Sequence, residues 1–368
     1  MNSEDIKKLA NNLVTYSCRV QKGEKVLIEG SPLCLDLILA LVDKIYDVGG
    51  YPFVNYGESR LSAHIMKGTT EEHIKLMEKY MHPIMEDMDA YIGISATNNI
   101  FELSNVSIIN KNLYSKFYSQ PIHSDIRVPK TKWVILKYPT FGFSQQAEMG
   151  IEEYSDFYFK VCNLDYSKMN LAMNNLKNLM EKTDKVRIVG KNTDITFSIK
   201  GLPAIICSGE ANIPDGEVFT APVKNSVNGI ITYNTPSPYN GYIFENVSLT
   251  FKDGKIIKAT CKENEDKLNE IFDTDKGSRY VGEFSFGLNP KIMNPIGDIL
   301  YDEKIAGSIH FTPGSAYKEC YNGNDSNIHW DMVLIQRSDY GGGEIYFDNK
   351  LIRKDGKFVL DELKNLNY

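Results

Sequence analysis

The sequence carries no surplus of positive charge: 41 lysines and arginines are outnumbered by 48 aspartates and glutamates, for a formal net charge of -7. Nucleic-acid phosphates require a basic face, so a nucleic-acid partner is set aside. Cysteine is sparse and scattered. Cys18, Cys34, Cys162, Cys207, Cys261 and Cys320 show no CxxC spacing, which offers neither a thiolate zinc site nor a disulfide framework and fits a reducing cytoplasm. Long apolar runs are missing too. The most apolar helical stretch, 33–42, is short and interrupted by Asp36, so neither a membrane span nor a membrane partner is expected. The opening MNSEDIKKLA mixes acids with lysines ahead of an amphipathic pattern, unlike a signal peptide. Glycine is not arranged for phosphate: KVLIEG is followed by SPLC, without GxGxxG or a P-loop, so no dinucleotide is expected. No GxSxG surrounds Ser308 or Ser315, which removes a serine-hydrolase elbow.

What is present is ordinary globular protein, 42% hydrophobic and 24% charged, and 368 residues suffice for two domains with separate cores. Residues 1–20 place Ile6, Leu9, Leu13 and Val14 at helical spacing. Then KVLIEG, an apolar-periodic run over 33–48, the stop Gly49-Gly50 and YPFVNY read as a β-α-β unit. AYIGISAT and KWVILKYP add buried strands, alternating with helical segments near 70–81 and 101–118. Such alternation predicts an α/β domain over 1–165 with a largely parallel sheet. His64, His73, His82 and His123 fall here on polar segments without a paired acid at useful spacing, and are expected to be solvated or capping.

A helical connection is predicted over 166–184, with Met169, Met173, Leu176 and Met180 at helical spacing. Beyond it the period drops to two. Hairpins are expected at Asn192-Thr193-Asp194, Asp253-Gly254 and Asp355-Gly356, and a short helix over 268–272, giving a β-rich α+β C-terminal domain over 185–368.

That domain spends acids and histidines unusually over 282–331. His310 and His329 lie in apolar strand-like runs beside small or acidic neighbours. In His329-Trp330-Asp331 the imidazole and the carboxylate leave an extended strand on the same face, with Trp330 on the other. One metal ion could be held by both, and Glu217, Glu283 and Glu303 are the available further oxygen donors. Bland readings compete: Glu217 as a turn acid beside Asp215, Asp302 and Glu303 as the solvated start of a strand, and Tyr317 as one of 22 tyrosines.

IPDGEVFTAP, VGEFSFGLNP, DEKIAGSIHFTPGSAY and IHWDMV, in this order and spacing, resemble the thermophilic-metalloprotease family of aminopeptidases. GEKVLIEG, KWVILKYPT with MGIEEYSDFYFKVC, and VRIVGKNTDITFSI extend the resemblance over most of the chain. It implies a cytoplasmic homodimer with two divalent metal ions per chain, zinc or cobalt, removing N-terminal residues from short peptides that have a free N-terminus. By position, Glu217, Glu283, His310, His329 and Asp331 fall on the family's metal ligands and Tyr317 on its catalytic tyrosine. Glu303 is carried over as a further ligand, although the family varies in the number of residues between this acid and the histidine. Thr312 stands where alanine is expected in many relatives, a change expected to alter the pocket without touching a ligand.

The chemistry agrees with that resemblance. Peptide hydrolysis at neutral pH needs a strong nucleophile, which a metal supplies by acidifying bound water. One carboxylate is expected to bridge two ions, either Glu283, favoured because it begins the central strand, or Glu217; the other of the two is expected to act as general base, and Tyr317 to stabilise the oxyanion. Another two-metal hydrolase, acting on a phosphoester or non-peptide amide, and a non-catalytic metal- or peptide-binding protein remain the alternatives.

Overall fold

The computed structural model describes residues 3–239 and 241–368. Its chain divides into two units, Met1–Leu164 with Gly209–Pro214, and Asp165–Ser208 with Asp215–Tyr368.

The first unit is built on a parallel sheet in the order Tyr51–Tyr56, Lys25–Gly30, Ala90–Ser95, Lys132–Lys137, Asn212–Ile213. Val26, Leu27 and Ile28 are all buried, as a strand covered on both faces requires. The expected 33–48 run forms the helix Leu35–Asp47, which ends where Gly49 takes φ +80°. Thr70 caps the helix Glu71–Asp87 by accepting from the His73 N–H. Two features depart from expectation. The fifth strand arrives from residues 212–213, far beyond the first four. The region near 101–118 is α-helical only over Ile108–Tyr114 and continues as a wider π-helix over Ser115–Arg127.

Two histidines of this unit, His82 and His123, also need correction. His82 has acids at both helical neighbours, with Nδ1 2.6 Å from Glu78 and Nε2 3.6 Å from Glu86. His123 is half-buried edge-on to the Tyr91 and Tyr118 rings rather than solvated.

The second unit is antiparallel. One eight-stranded sheet has the order Lys255–Thr260, Ser248–Lys252, Asn228–Thr232, Thr193–Ser198, Lys185–Gly190, Gly343–Phe347, Lys350–Lys354, Lys357–Phe358. A five-stranded sheet has the order Val333–Ile335, Ser308–Pro313, Val281–Gly287, Glu217–Thr220, Ile205–Cys207. They pack through aromatic side chains: the Phe197 ring lies 5.0 Å from those of Phe284 and Phe311, and Phe286 lies 6.1 Å from Phe347. The helix Tyr166–Lys182, expected as a connection, buries Met173, Leu176 and Met180 in this same core. Asp253-Gly254 and Asp355-Gly356 turn their hairpins with positive φ at both positions. The first hairpin turns one residue earlier than expected, at Lys191-Asn192, because Gly190 pairs with Thr193. The helix near 268–272 begins sooner, at Glu265.

Candidate metal centre

The five-stranded sheet sorts its side chains by parity. Phe284, Phe286, Ile309, Phe311 and Val218 point into the core, while Glu283, Ser285, His310, Thr312 and Glu217 share the opposite face. Register brings them abreast: Ser285 pairs with His310 and Glu283 with Thr312. At Gly282 a β-bulge separates Val281, which joins the core, from Glu283, which does not. A Cβ at Gly282 would stand 2.2 Å from the Ser315 carbonyl oxygen, so this bulge accepts only glycine. Gly314, with φ +114°, is constrained in the same way against the Ile328 carbonyl.

Four of the expected residues meet around Glu283. Its Oε1 lies 3.0 Å from His310 Nε2, and its Oε2 lies 3.3 Å from His329 Nε2. Glu217 Oε2 approaches His310 Nε2 to 3.2 Å and accepts from the Ser285 hydroxyl at 3.1 Å. Asp331 Oδ1 lies 3.3 Å from His329 Nε2. The ligand atoms therefore form two groups that share Glu283: Glu217, Glu283 and His310, and Glu283, His329 and Asp331, each within 4.8 Å. Trp330 points into the core as expected.

Both imidazoles are oriented through their other nitrogen. His310 Nδ1 is 3.1 Å from the Glu303 carbonyl oxygen and His329 Nδ1 is 2.8 Å from that of Ser315. A carbonyl only accepts, so each Nδ1 carries a proton and each Nε2 is the ring nitrogen turned toward the acids and available to a cation. His329 Nε2 is buried and makes no well-formed hydrogen bond, although two carboxylate oxygens lie near it. An orphaned nitrogen facing acids is what a divalent cation would satisfy, so the donor set fits a metal.

Charge is concentrated here against the resistance of burial. Burial opposes the His310 cation, but Glu283, Glu217 and Asp331 outweigh it and raise this imidazole to about 10. His329 is raised well above its ordinary value in the same way by Asp331 and Glu283, again against burial. Burial works against the Glu283 carboxylate as well, yet the His310 and His329 imidazoles beside it hold it below the usual range. Without cations the two imidazoles hold protons that cation binding would release.

Glu303 stands outside both groups. It contacts Lys304 Nζ, and burial, opposed by that lysine, raises its carboxyl to about 8. Lys304 is 0% exposed and lies 3.6 Å from Glu217 Oε1 as well. Sequence reasoning missed it, because a lysine following two acids has the pattern of a solvated charge run. Asp302 is not solvated either: it is buried and accepts from the Ile296 and Gly297 N–H groups. Thr312 touches a candidate ligand, contrary to expectation, donating its hydroxyl to Asp331 Oδ1 at 2.7 Å. The scattered cysteines gave no sign that Cys207, paired with Glu217 across the strands, would join Asp215 and Glu217 in a third group. Burial raises its thiol well above the ordinary value. The Tyr317 ring lies 4.6 Å from the His329 ring and 5.5 Å from Phe219, and the residue is 45% exposed.

Comparison with known proteins gives a family match along nearly the whole chain. A sequence model of the thermophilic metalloprotease (M29) family matches residues 2–358. Aminopeptidase AmpS of Bacillus subtilis (strain 168) is 26% identical over 354 residues, covering 86% of this chain and 85% of that protein. Aminopeptidase 2 of Geobacillus stearothermophilus is 22% identical, covering 96% and 95%. Among solved structures, wild-type AmpT from Thermus thermophilus superposes with a TM-score of 0.82 at 20% identity, over 97% of this chain and 99% of that one. A 2,5-dihydroxypyridine dioxygenase from Pseudomonas putida KT2440 superposes with a TM-score of 0.63 at 13% identity, over 99% of each chain. The second neighbour's name is that of an oxygenase, so the fold alone does not select a chemistry and the side chains must.

Proposed function

The chain belongs to the thermophilic metalloprotease family (M29) and is a metal-dependent aminopeptidase; we propose that it works with two divalent cations, zinc or cobalt, held by residues on one face of the five-stranded sheet. The observation that carries this proposal is Glu283, whose two carboxylate oxygens face two different histidines at 3.0 and 3.3 Å. Glu217 and His310 would complete one position and His329 and Asp331 the other, with Glu283 common to both. When bound, such ions supply Lewis acidity and a water acidic enough to serve as nucleophile near neutral pH.

The chain's own residues supply the rest. The Glu303 and Ser315 carbonyls fix the tautomer and direction of the two histidines. Thr312 holds Asp331 through one oxygen. Glu303 belongs to neither ligand group, and a carboxyl raised to about 8 exchanges protons near neutral pH. We therefore assign it proton transfer rather than metal binding, in place of Glu217. Tyr317, against the His329 ring at the exposed edge of the site, is the candidate donor to the oxyanion of the scissile carbonyl.

The substrate in this account is a short peptide with a free N-terminus, and the working form is a cytoplasmic homodimer without nucleic-acid partners. Among the described residues no helix is long and apolar enough to cross a membrane. The test compares turnover of aminoacyl anilides and phosphoesters before and after chelation, with circular dichroism on the same samples. Anilide turnover lost on chelation and restored by zinc or cobalt, with the fold intact, supports the proposal. Phosphoester turnover alone would indicate the other two-metal hydrolase, and unfolding on chelation a structural metal.

A further inference from the structure

Lys304 is the only buried lysine among the described residues. Backbone packing puts it there. Gly287, at the end of the strand Val281–Gly287, pairs with Glu217, and a Cβ on it would stand 2.4 Å from the Ile305 carbonyl oxygen and 2.9 Å from that of Glu303. Having no side chain, Gly287 lets the segment 303–305 lie against the strand beside Glu217. The Asn289 N–H donates to the Lys304 carbonyl at 3.0 Å and the Lys304 N–H to that of Tyr301 at 3.0 Å, which fixes the segment from both sides.

Glu217 is thereby divided. Its Oε2 lies 3.2 Å from His310 Nε2 and accepts from the Ser285 hydroxyl, while its Oε1 faces the Lys304 ammonium at 3.6 Å. The same ammonium contacts Glu303. Burial opposes this cation, but the charges of Glu217, Glu303 and Asp215 outweigh it and hold the lysine well above its ordinary value. Two of those acids, Glu217 and Asp215, belong with Cys207 to the third group of ligand atoms, all within 4.8 Å of one another. Thiolate and carboxylate are both zinc donors, so the lysine sits where a metal would find ligands. An ammonium neutralises such acids but presents no coordination position to water or substrate.

Resting on the two-cation account above, we propose that Lys304 is a built-in cation: its ammonium stands in for a third metal ion beside Cys207, Asp215 and Glu217, leaves Glu217 one oxygen for the first cation position, and so limits the centre to two ions. It is a positioning residue, since it acts on the reaction through Glu217.

The experiment counts zinc per chain, after loading and dialysis, in the parent, in Lys304→Met and in Lys304→Met combined with Cys207→Ser. Methionine keeps an unbranched stem and removes the charge. The parent should hold two ions, Lys304→Met three and the double variant two. Metal-free Lys304→Met, with buried acids left uncompensated, should melt roughly 10 °C below the metal-free parent. That gap should close when both are loaded with zinc. A merely structural ion pair would lower the melting temperature with or without zinc and leave the count at two. That result, or a third ion that survives Cys207→Ser, would overturn the proposal and leave the two-cation account standing. A Lys304→Met chain that zinc does not fold would also overturn it, since an ion at that place should do the lysine's work. One ion or none in the parent would remove the two-cation account and the proposal with it.

Discussion

The two faces of the strands Val281–Gly287 and Ser308–Pro313 are made from alternate residues of the same short segments, yet they do opposite work. One face carries Phe284, Phe286, Ile309 and Phe311 and joins two sheets through ring contacts. The other carries Glu283, Ser285, His310 and Thr312, gathering charge that burial resists. Stability and chemistry are thus separated by the two-residue period of a strand rather than by distance along the chain. The rigid aromatic face holds the polar one to the tolerance that a ligand set needs.

The largest effect expected from this division is on the polar face. Glu283→Gln should keep the thermal midpoint of the metal-free protein within a few degrees of the metal-free parent but lower kcat/KM of the zinc-loaded protein on an aminoacyl anilide roughly a thousandfold, about 4 kcal/mol of barrier. A large drop in midpoint would break the separation. On the core face the pattern reverses. Phe284→Ala removes a fully buried ring and should cost about 3–5 kcal/mol by urea denaturation, while the folded fraction still binds metal. Thr312→Ala probes the shared edge: it frees one oxygen of Asp331 and should weaken metal binding about tenfold in competition with a chelator, with Thr312→Ser restoring it.

The smallest effect lies in the turn that carries the chain toward His329. Asp275 accepts from the Asn327 N–H, the Ser326 and Ser278 hydroxyls and the Gly277 N–H, which together outweigh its burial and lower its carboxyl to about 2. A carboxyl lowered on folding adds stability above its unfolded value near 3.9 and loses it as the pH falls through the folded value. Asp275→Asn should therefore cost about 1 kcal/mol at pH 7, with the difference from the parent vanishing near pH 2 in urea titrations. A difference that persisted at low pH would mean that charge is not what the turn depends on.

Much of this was legible in the sequence, for a physical reason. Buried parallel strands and alternating antiparallel ones leave periodic traces, which located KVLIEG, AYIGIS, KWVILK and most of the hairpins. His329 and Asp331 share a face because one residue separates them, and the structure brings their side chains within 3.3 Å. What periodicity cannot encode is the meeting of distant segments. The strand Asn212–Ile213 joins the first unit's sheet from beyond residue 200, and Lys304 becomes a buried cation only because Glu217 and Glu303 converge on it. The role of Gly282 was hidden likewise, since a bulge appears only once Val281 and Glu283 are paired against the neighbouring strand. Thr312 was misjudged for the same reason: its partner, Asp331, lies 19 residues away.

The central claim is that Glu283 ties two cation positions into one centre. Elemental analysis after loading with zinc and exhaustive dialysis tests it most directly. The account predicts close to two ions per chain in the parent and close to none in Glu283→Gln. One ion or none in the parent, or two retained by the variant, would contradict it.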